Sequence, residues 1–271
     1  MKALRARVVP AKQLVRGDML AMFRVFEEYY DEVSFETFCL DLANKDDVIL
    51  LLDAKNVIQG FSTMRNLHVK VDGRDVYGLF SGDTVVAKAY WGQRVLGRAF
   101  LAYLFKQKAK HPLSPYWWFL ISKGYKTYLL MANNFGEYYP AVERATPPEA
   151  KAILDAFGST LYPDDYCADT GVIAFEQSHG QLRRGIADVT PELLSHPKIA
   201  FFQKMNPRWA QGSELACIAR MTWGMPFYYL AKALAKGAFR PMRRALPVPP
   251  PSTLTPSMAK LRAAGGGGPE L

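Results

Sequence analysis

The possible folds are limited most strongly by an alternation of strand-like and helix-like segments in the middle of the chain. Residues 48–54 form a nearly continuous apolar run, which is typical of a buried strand. Asp72-Gly73 is a hairpin turn signal, and the strand-like stretch 77–89 after it is interrupted at Ser81-Gly82, which indicates a bulge or a close backbone approach. A helix, a short buried strand and another helix follow at 93–110, 116–121 and 125–134. This order predicts a mixed α/β sheet.

The flanking segments extend the pattern and divide the chain into three parts. On the N-terminal side we expect a strand at 4–9, two helices within 17–44, and two further strands at 57–64 and 67–71. On the C-terminal side we expect a helix at 145–157, a strand at 171–176, and three helices at 190–194, 212–221 and 225–238. The parts are then an α/β core at 1–176, a helical extension at 177–245 and a disordered Pro- and Gly-rich tail at 246–271.

Cysteine and histidine usage argues against a metal or disulfide protein. The three cysteines are far apart and form no CxxC, and the four histidines show no HxxxH or HExxH spacing. We therefore expect no metal site. The N-terminus lacks the apolar core of a secretory signal, and no apolar stretch is long enough for a membrane span. These features predict a cytoplasmic protein.

The positive charge is unevenly distributed. The formal net charge is +9, but seven Lys and Arg residues and a single acid, Glu270, lie from Ala231 onward. The charge thus belongs mostly to the C-terminal stretch, and binding of nucleic acid by the body of the protein is not expected. The basic amphipathic segment 223–244 is compatible with a peripheral membrane or partner contact, which is the alternative function.

The segment that carries chemistry is Arg94-x-x-Gly97-x-Ala99, between a long strand and a helix. A helix N-terminus offers unpaired amides and the positive end of the helix dipole. Small residues there allow a phosphate to approach the backbone. The sequence therefore predicts a phosphate or pyrophosphate site formed by Arg94, Val95, Leu96, Gly97, Arg98 and Ala99.

This unit resembles the acyl-donor site of the GCN5-related N-acetyltransferase (GNAT) superfamily. The order of elements over about residues 4–140 is also similar, and strands near 171–176 would complete the sheet. The resemblance implies a GNAT-like α/β fold with a mixed, mostly antiparallel central sheet flanked by helices, here with a C-terminal helical extension. The chain exceeds a minimal domain of this kind, and in this enlargement it resembles bacterial N-acyl amino acid synthases.

The resemblance implies a thioester donor and direct attack by an amine. The donor would be acyl-CoA or an acyl-phosphopantetheine on an acyl carrier protein, with no tightly bound cofactor. Its pantetheine arm would lie between the fourth and fifth strands, paired with the backbone of Val85, Val86 and Ala87, and a bulge amide would stabilise the oxyanion. Asp83 is the candidate base. The family often has a tyrosine five residues before a Gly-Phe, but Leu130 occupies the corresponding position, so Tyr125 and Tyr128 are the candidate acids.

The acceptor would be the amine of a small molecule such as an amino acid. The choice between the two donors stays open at this point. An acidic carrier protein would be attracted by cations on or beside the motif helix, which are Arg94, Arg98, Lys106, Lys108 and Lys110. A solvated helix face explains the same lysines equally well.

Overall fold

The protein is described here by a computed structural model that covers residues 3–175, the backbone of 181–182 and residues 189–225. The strands of this part are β1 (Arg5–Pro10), β2 (Tyr30–Asp31), β3 (Asp47–Leu52), β4 (Ile58–Val71), β5 (Arg74–Val86), β6 (Tyr116–Ser122), β7 (Tyr138–Tyr139), β8 (Tyr166–Cys167), β9 (Val172–Ile173), β10 (Gln181–Leu182) and β11 (Glu214–Arg220). The α-helices are α1 (Arg16–Glu27), α2 (Phe35–Ala43), α3 (Val95–Lys108), α4 (Tyr125–Asn134), α5 (Pro148–Leu161) and α6 (Pro197–Met205).

One mixed sheet organises these elements. Its strand order is β1-β3-β4-β5-β6-β11-β9-β8, and β7 pairs with β11. Within the described residues every neighbouring pair in this sheet is antiparallel except β5 and β6, which run parallel. β2 and β10 form a separate antiparallel pair. The predicted fold class, a mostly antiparallel mixed sheet with helices on its faces, is confirmed.

The β4–β5 hairpin is the longest pairing in the sheet. Asp72 and Gly73 both have positive φ, 49° and 75°, as a two-residue type I′ turn requires. The two strands expected at 57–64 and 67–71 are one strand, which corrects the sequence prediction. Pairing with β5 continues through Arg65 and Asn66, because those polar residues interrupt the burial pattern and not the backbone ladder.

Two hydrophobic clusters lie on one face of the sheet. The first joins α1 and α2 to β3 and includes Phe61 of β4, and the second joins α5 to β6 and β11 and includes Leu67 of β4. Phe61 and Leu67 have the same parity along β4 and therefore project from the same face. On the opposite face α3 packs its first turn near Leu51, and Trp118 contacts Phe100 of α3. The sheet thus separates α1, α2 and α5 from α3.

The strand β11 corrects the prediction most strongly. Residues 212–221 were expected to form a helix in a separate extension, and strands near 171–176 were expected to complete the sheet. Residues 214–220 instead form the strand β11, which pairs with β6 along its length. The expected late strand is present as β9, which has only two residues and extends the sheet by pairing with β11. The side chains of Leu215–Ala219 are all fully buried, so both faces of this strand are apolar. The late strand β11 thus belongs to the same sheet as the elements before residue 176, and Met1–Trp223 form one compact unit.

Several expected C-terminal features lie outside the described residues. These are the disordered tail at 246–271 and nearly all of the helix at 225–238 and of the basic segment at 223–244. The helix expected at 190–194 is replaced by a short 3-10 turn and α6. None of the helices in the described ranges is long and apolar enough to span a membrane.

Candidate functional site

A splay between β5 and β6 opens the middle of the sheet. Parallel pairing runs from Tyr77 opposite Tyr116 to Ser81 opposite Leu120 and then ends. β5 continues to Val86 along β4, so its last residues have no strand on the β6 side within the described part of the chain. The two strands therefore diverge beyond Ser81 and Leu120, and we call the gap between them the cleft.

A β-bulge lies where the splay begins. Ser62 pairs with Thr84, and Met64, two residues further along β4, pairs with Ser81, three residues back along β5. Between these two pairs β5 therefore has one residue more than β4, and this bulge lies at Gly82 and Asp83. The predicted interruption of the strand is confirmed. A Cβ at Gly82 would lie 2.6 Å from Thr63 Oγ1 and 3.0 Å from Lys45 Cε, so only glycine fits without a shift of these neighbours.

Five charged residues gather beside the bulge, and we call them the charged cluster. They are Asp41 on α2, Lys45 just after α2, Asp83 at the bulge, Lys123 just after β6 and Glu214 at the start of β11. Alternation along the strands places Lys123 on the face of Phe119, and Glu214 on the face of Ala216 and Ile218. The cluster therefore lies on the α1, α2 and α5 face, between the two hydrophobic clusters.

The two lysines of the charged cluster form ion pairs with two of its three acidic residues. Lys45 Nζ lies 2.6 Å from Asp41 Oδ1, and Lys123 Nζ lies 3.3 Å from Glu214 Oε1. Asp83 has no ion pair with a residue of the described part. Burial, and next the negative charge of Asp41, raise the pKa of Asp83 from 3.8 to about 7, while the positive charges of Lys45 and Lys123 lower it. Asp83 is thus a carboxyl group that exchanges a proton near neutral pH.

Two tyrosines border the charged cluster. Lys123 Nζ lies 5.6 Å from the ring centre of Tyr30, and the ring of Tyr162 meets that of Phe80 edge-on. Burial raises the pKa of both hydroxyls, and the charges of Asp83 and Glu214 add to this. Both hydroxyls therefore stay protonated and retain a hydrogen to donate. Sequence reasoning missed every member of the charged cluster except Asp83, because the members come from four separate segments of the chain.

The predicted phosphate site lies at the exposed first turn of α3. Its first intrahelical bond runs from Arg98 N–H to Arg94 O, so the amides of Val95, Leu96 and Gly97 have no acceptor within the helix. Arg94 precedes the helix without a side-chain cap. A Cβ at Gly97 would meet nothing within 4 Å, so space is open beside these amides.

The remaining side chains of the motif divide between packing and solvent. Val95 and Leu96 pack against Leu4, Leu51 and Tyr90, Ala99 is half-buried, and Arg94 and Arg98 are exposed. The structure therefore places both arginines where an anion at the helix N-terminus could reach them.

The strand end expected to pair with pantetheine is partly occupied. Ala87 N–H donates to Gln59 O at 2.8 Å, on the β4 side. Backbone groups of successive residues point to opposite edges of a strand, so those of Val86 face the cleft. The Val86 carbonyl accepts a 2.7 Å bond from Trp91 Nε1, whereas Val85 packs its side chain in the α1–α2 cluster.

Trp91 is a site residue that sequence reasoning did not single out. Its ring lies 6.1 Å from that of Tyr29, and Lys126 Nζ on α4 lies 5.8 Å from its centre. Together with the bond to Val86, these contacts place Trp91 at the mouth of the cleft, between β5 and α4. In the sequence the only signal for Trp91 was its place just before the motif. Its half-exposed ring is visible only in the structure.

The two candidate acids are in different surroundings. Tyr128 is fully buried, its hydroxyl donates to Pro140 O at 3.0 Å, and its ring packs on Phe202 of α6. Burial raises the pKa of Tyr128. Its hydroxyl is thus engaged in the core and is not aimed at the cleft. Tyr125 begins α4, three residues after the end of β6, and is half-buried.

The lysines considered for carrier docking differ in their exposure to solvent. Lys106 and Lys110 are exposed, whereas Lys108 is 5% exposed and points inward, which corrects its assignment to the docking surface. No group of three His, Cys, Asp or Glu side chains in the described ranges is placed to hold a metal ion.

The chain matches no family model and no curated protein sequence. Solved structures similar to it include a conserved protein of Enterococcus faecalis described as a probable N-acyltransferase, with 16% identity over 50% of this chain and 33% of that chain and a TM-score of 0.36. The chain thus spans a third of that protein. A GNAT-family N-acetyltransferase of Escherichia coli in complex with CoA shares 15% identity over 51% of this chain and 71% of that chain, with a TM-score of 0.35.

An aminoglycoside acetyltransferase from an uncultured soil sample, in complex with sisomicin, shares 17% identity over 47% of this chain and 82% of that chain, with a TM-score of 0.33. Independently of these neighbours, β1, α1 and α2, the three antiparallel strands, the motif helix, β6 and α4 follow one another in the expected order. In that order, in the bulge and in the splay beside it, the protein has the fold that the sequence analysis expected of a GCN5-related N-acetyltransferase.

Proposed function

We propose that the protein is an N-acyltransferase of the GNAT superfamily, which moves an acyl group from a phosphopantetheine thioester to the amine of a small molecule. The observation that carries this proposal is the position of Asp83. It is the one member of the charged cluster without an ion-pair partner in the described part of the chain, it has a pKa of about 7, and it lies at the bulge where β5 and β6 separate.

The donor would approach from the α3 face. Its phosphates would bind the free amides of Val95–Gly97, with Arg94 and Arg98 nearby. The pantetheine arm would then enter the splay and pair with the cleft-facing backbone of Val86, replacing the bond from Trp91. This path brings the thioester to the bulge, where a backbone amide would stabilise the oxyanion.

The acceptor would approach from the opposite face. An amine beside Asp83 would balance the surplus carboxylate of the charged cluster, and Lys45 and Lys123 offer positive charge to a carboxylate on the same molecule. These features support an amino acid as the acceptor. The walls formed by Tyr30 and Tyr162 would exclude water from the attacking nitrogen.

The chemical step would then be direct transfer. The amine nitrogen forms a bond to the thioester carbon, its proton passes to the Asp83 carboxylate, and the carbon–sulfur bond breaks. The departing thiolate takes up a proton. Tyr125, at the start of α4, is the candidate donor that remains after Tyr128 is assigned to the core.

The donor can be CoA-linked or carried on an acyl carrier protein. Exposed Arg94, Arg98, Lys106 and Lys110 give α3 and its end a positive surface, which supports a docked acidic carrier. The same phosphate site serves free acyl-CoA, so the two donors are alternatives for one site.

The function is tested by offering both donors with a panel of amino acids and other small amines. Thiol release and the mass of the N-acyl product would be measured for acyl-CoA and for acylated carrier protein of several chain lengths. We expect product with at least one donor class. Absence of product with every donor would contradict the proposed activity.

The base is tested with Asp83→Asn and, as a matched control, Asp164→Asn in an exposed turn. We expect kcat/KM to fall by about 10²-fold or more for Asp83→Asn and to stay unchanged for the control. In the parent protein kcat/KM should rise with pH and level off above about pH 7, since the carboxylate form is required. Full activity of a folded Asp83→Asn protein would refute the assignment of the base while leaving the activity itself in place.

A further inference from the structure

A cavity lies at the far end of β6 from the splay. Its volume is about 220 Å³, and it is lined by Lys108, Leu113, Ser114, Pro115, Tyr116, Arg220, Met221, Thr222 and Trp223. Tyr116 is the first residue of β6, whereas the pairing with β5 ends at Leu120. The cavity is therefore separate from the cleft and from the charged cluster, and none of its residues takes part in the proposed reaction.

The Tyr116 hydroxyl is a buried polar group without a partner. Tyr116 is 2% exposed, and its oxygen forms no hydrogen bond with any residue of the described part. Leaving such a hydroxyl unsatisfied destabilises a protein. Tyr116 lines the cavity, but its oxygen is fully enclosed, so the groups that a ligand in the cavity would meet are the cations described next.

Two positive charges meet at the same cavity. Lys108 is 5% exposed, and its Nζ donates to Ser114 O at 3.2 Å and to Pro112 O at 3.4 Å, which leaves the third ammonium hydrogen for another acceptor. Arg220 is the second cation. Burial, and next the positive charge of Arg220, lower the pKa of Lys108. The two like charges therefore repel each other.

Among the described residues, no acidic side chain lines this cavity to offset the repulsion. Arg220 does reach Glu137 Oε2 at 3.6 Å, and it also lies over the ring of Trp117, but a guanidinium has five hydrogens and this long contact engages few of them. The wall opposite the cations is apolar, with Leu113, Met221 and Trp223. The Trp223 ring lies 5.3 Å from Lys108 Nζ, and its Nε1 donates to Pro112 O, so its orientation is fixed.

We propose that this cavity is a binding site for a small organic anion, whose carboxylate or phosphate group accepts hydrogen bonds from Lys108 and Arg220 and whose apolar part lies against Trp223. The anion would supply an acceptor for the remaining hydrogens of Lys108 and Arg220 and would neutralise the repulsion between the two cations. The volume is below the roughly 300–1,000 Å³ of sites for drug-sized ligands, so a ligand about the size of one substituted ring or a short chain fits.

The test uses the full chain and three probes of similar size. Benzoate and phenyl phosphate carry the two anionic groups on the same apolar body, and benzyl alcohol is their neutral counterpart. Binding is measured by calorimetry and by the ligand-induced rise in melting temperature. We expect at least one anion to bind and benzyl alcohol to bind at least tenfold more weakly. The stronger of the two anions identifies the preferred group. Equal binding of benzyl alcohol, or no binding of either anion, would overturn the proposal.

The decisive variant is Arg220→Gln, which removes one of the two cations of the cavity. We expect it to bind the preferred anion about tenfold more weakly, whereas Lys204→Met, on the exposed end of α6, should not change the affinity. Unchanged affinity of Arg220→Gln would overturn the proposal.

The Gly97→Asp variant separates this site from the proposed donor site. Anion binding in the cavity should survive in that variant, because Gly97 lies in the first turn of α3 and Lys108 is its last residue. Loss of the anion affinity in Gly97→Asp would assign the binding to the helix N-terminus and overturn the cavity site. Neither result depends on whether the protein transfers acyl groups.

Discussion

The carboxyl group of Asp83 links the charge of the site to the stability of the protein. Its pKa of about 7 in the folded protein is higher than the 3.8 of an ordinary aspartate, mainly because of burial. A raised pKa means that folding favours the protonated form. Its stabilising contribution is therefore complete below about pH 4 and is lost as the pH rises through about 7.

Asp83→Asn should remove the loss of stability at high pH, because the amide has nearly the same shape as the carboxyl group and stays neutral at every pH. We expect the variant to unfold with a free energy about 2 kcal/mol greater than that of the parent at pH 8, about half of what the full shift would give, since the group retains some solvent. Near pH 4 the two proteins should be equally stable. Urea titrations at both pH values measure this. A less stable variant at pH 8 would show that the ionised carboxylate is held by favourable contacts.

At the scale of an element, the first turn of α3 combines free amides with an open surface. Because a Cβ at Gly97 would meet nothing within 4 Å, substitutions there should not disturb packing. An aspartate in the first turn of a helix is also favoured over glycine by propensity and by the helix dipole. The fold and the phosphate site can therefore be tested separately at this position.

Gly97→Asp should lower the affinity for CoA by more than about tenfold, because a carboxylate beside the free amides competes with the phosphate and repels it. The melting temperature should be unchanged or slightly higher. Gly97→Ala is the matched control and should retain most of the affinity, since it adds a methyl group in open space. Calorimetry with CoA gives the affinities. Equal CoA affinity of Gly97→Asp and Gly97→Ala would exclude a phosphate at these amides.

At the scale of the whole molecule, β11 joins a late segment of the chain to the centre of the sheet. It contributes Glu214 to the charged cluster, Arg220 to the anion cavity and five fully buried side chains to the core. The sheet, the candidate catalytic site and the cavity therefore all depend on the same strand.

Ile218→Ala should lower the free energy of unfolding by about 2–4 kcal/mol, because it removes buried volume from a central strand. Circular dichroism and tryptophan fluorescence should report one shared transition, shifted to lower temperature. Leu130→Ala, at an exposed position of α4, is the control and should have little effect. Separate transitions for the two probes would indicate that the late segment folds apart from the sheet.

Local signals in the sequence were sufficient for most of the elements before residue 140. The turn at Asp72-Gly73, the bulge at Gly82-Asp83 and the motif helix each depend on neighbouring residues, whose conformational preferences act over a few positions. Such preferences can be read without knowing the partner strand. The same holds for the free amides of α3, since every helix start exposes them.

The tertiary structure alone decided which distant residues meet. β11 is buried on both faces and therefore lacks the alternation of a half-buried strand, so its apolar run could not be distinguished from a helix. Glu214 lies near Asp83, and Arg220 lies near Lys108, only because β11 pairs with β6. The sequence by itself determined the elements and one end of the donor site, because those are local. Pairing between distant strands determined the charged cluster and the cavity, because burial and charge there come from contacts that no local pattern records.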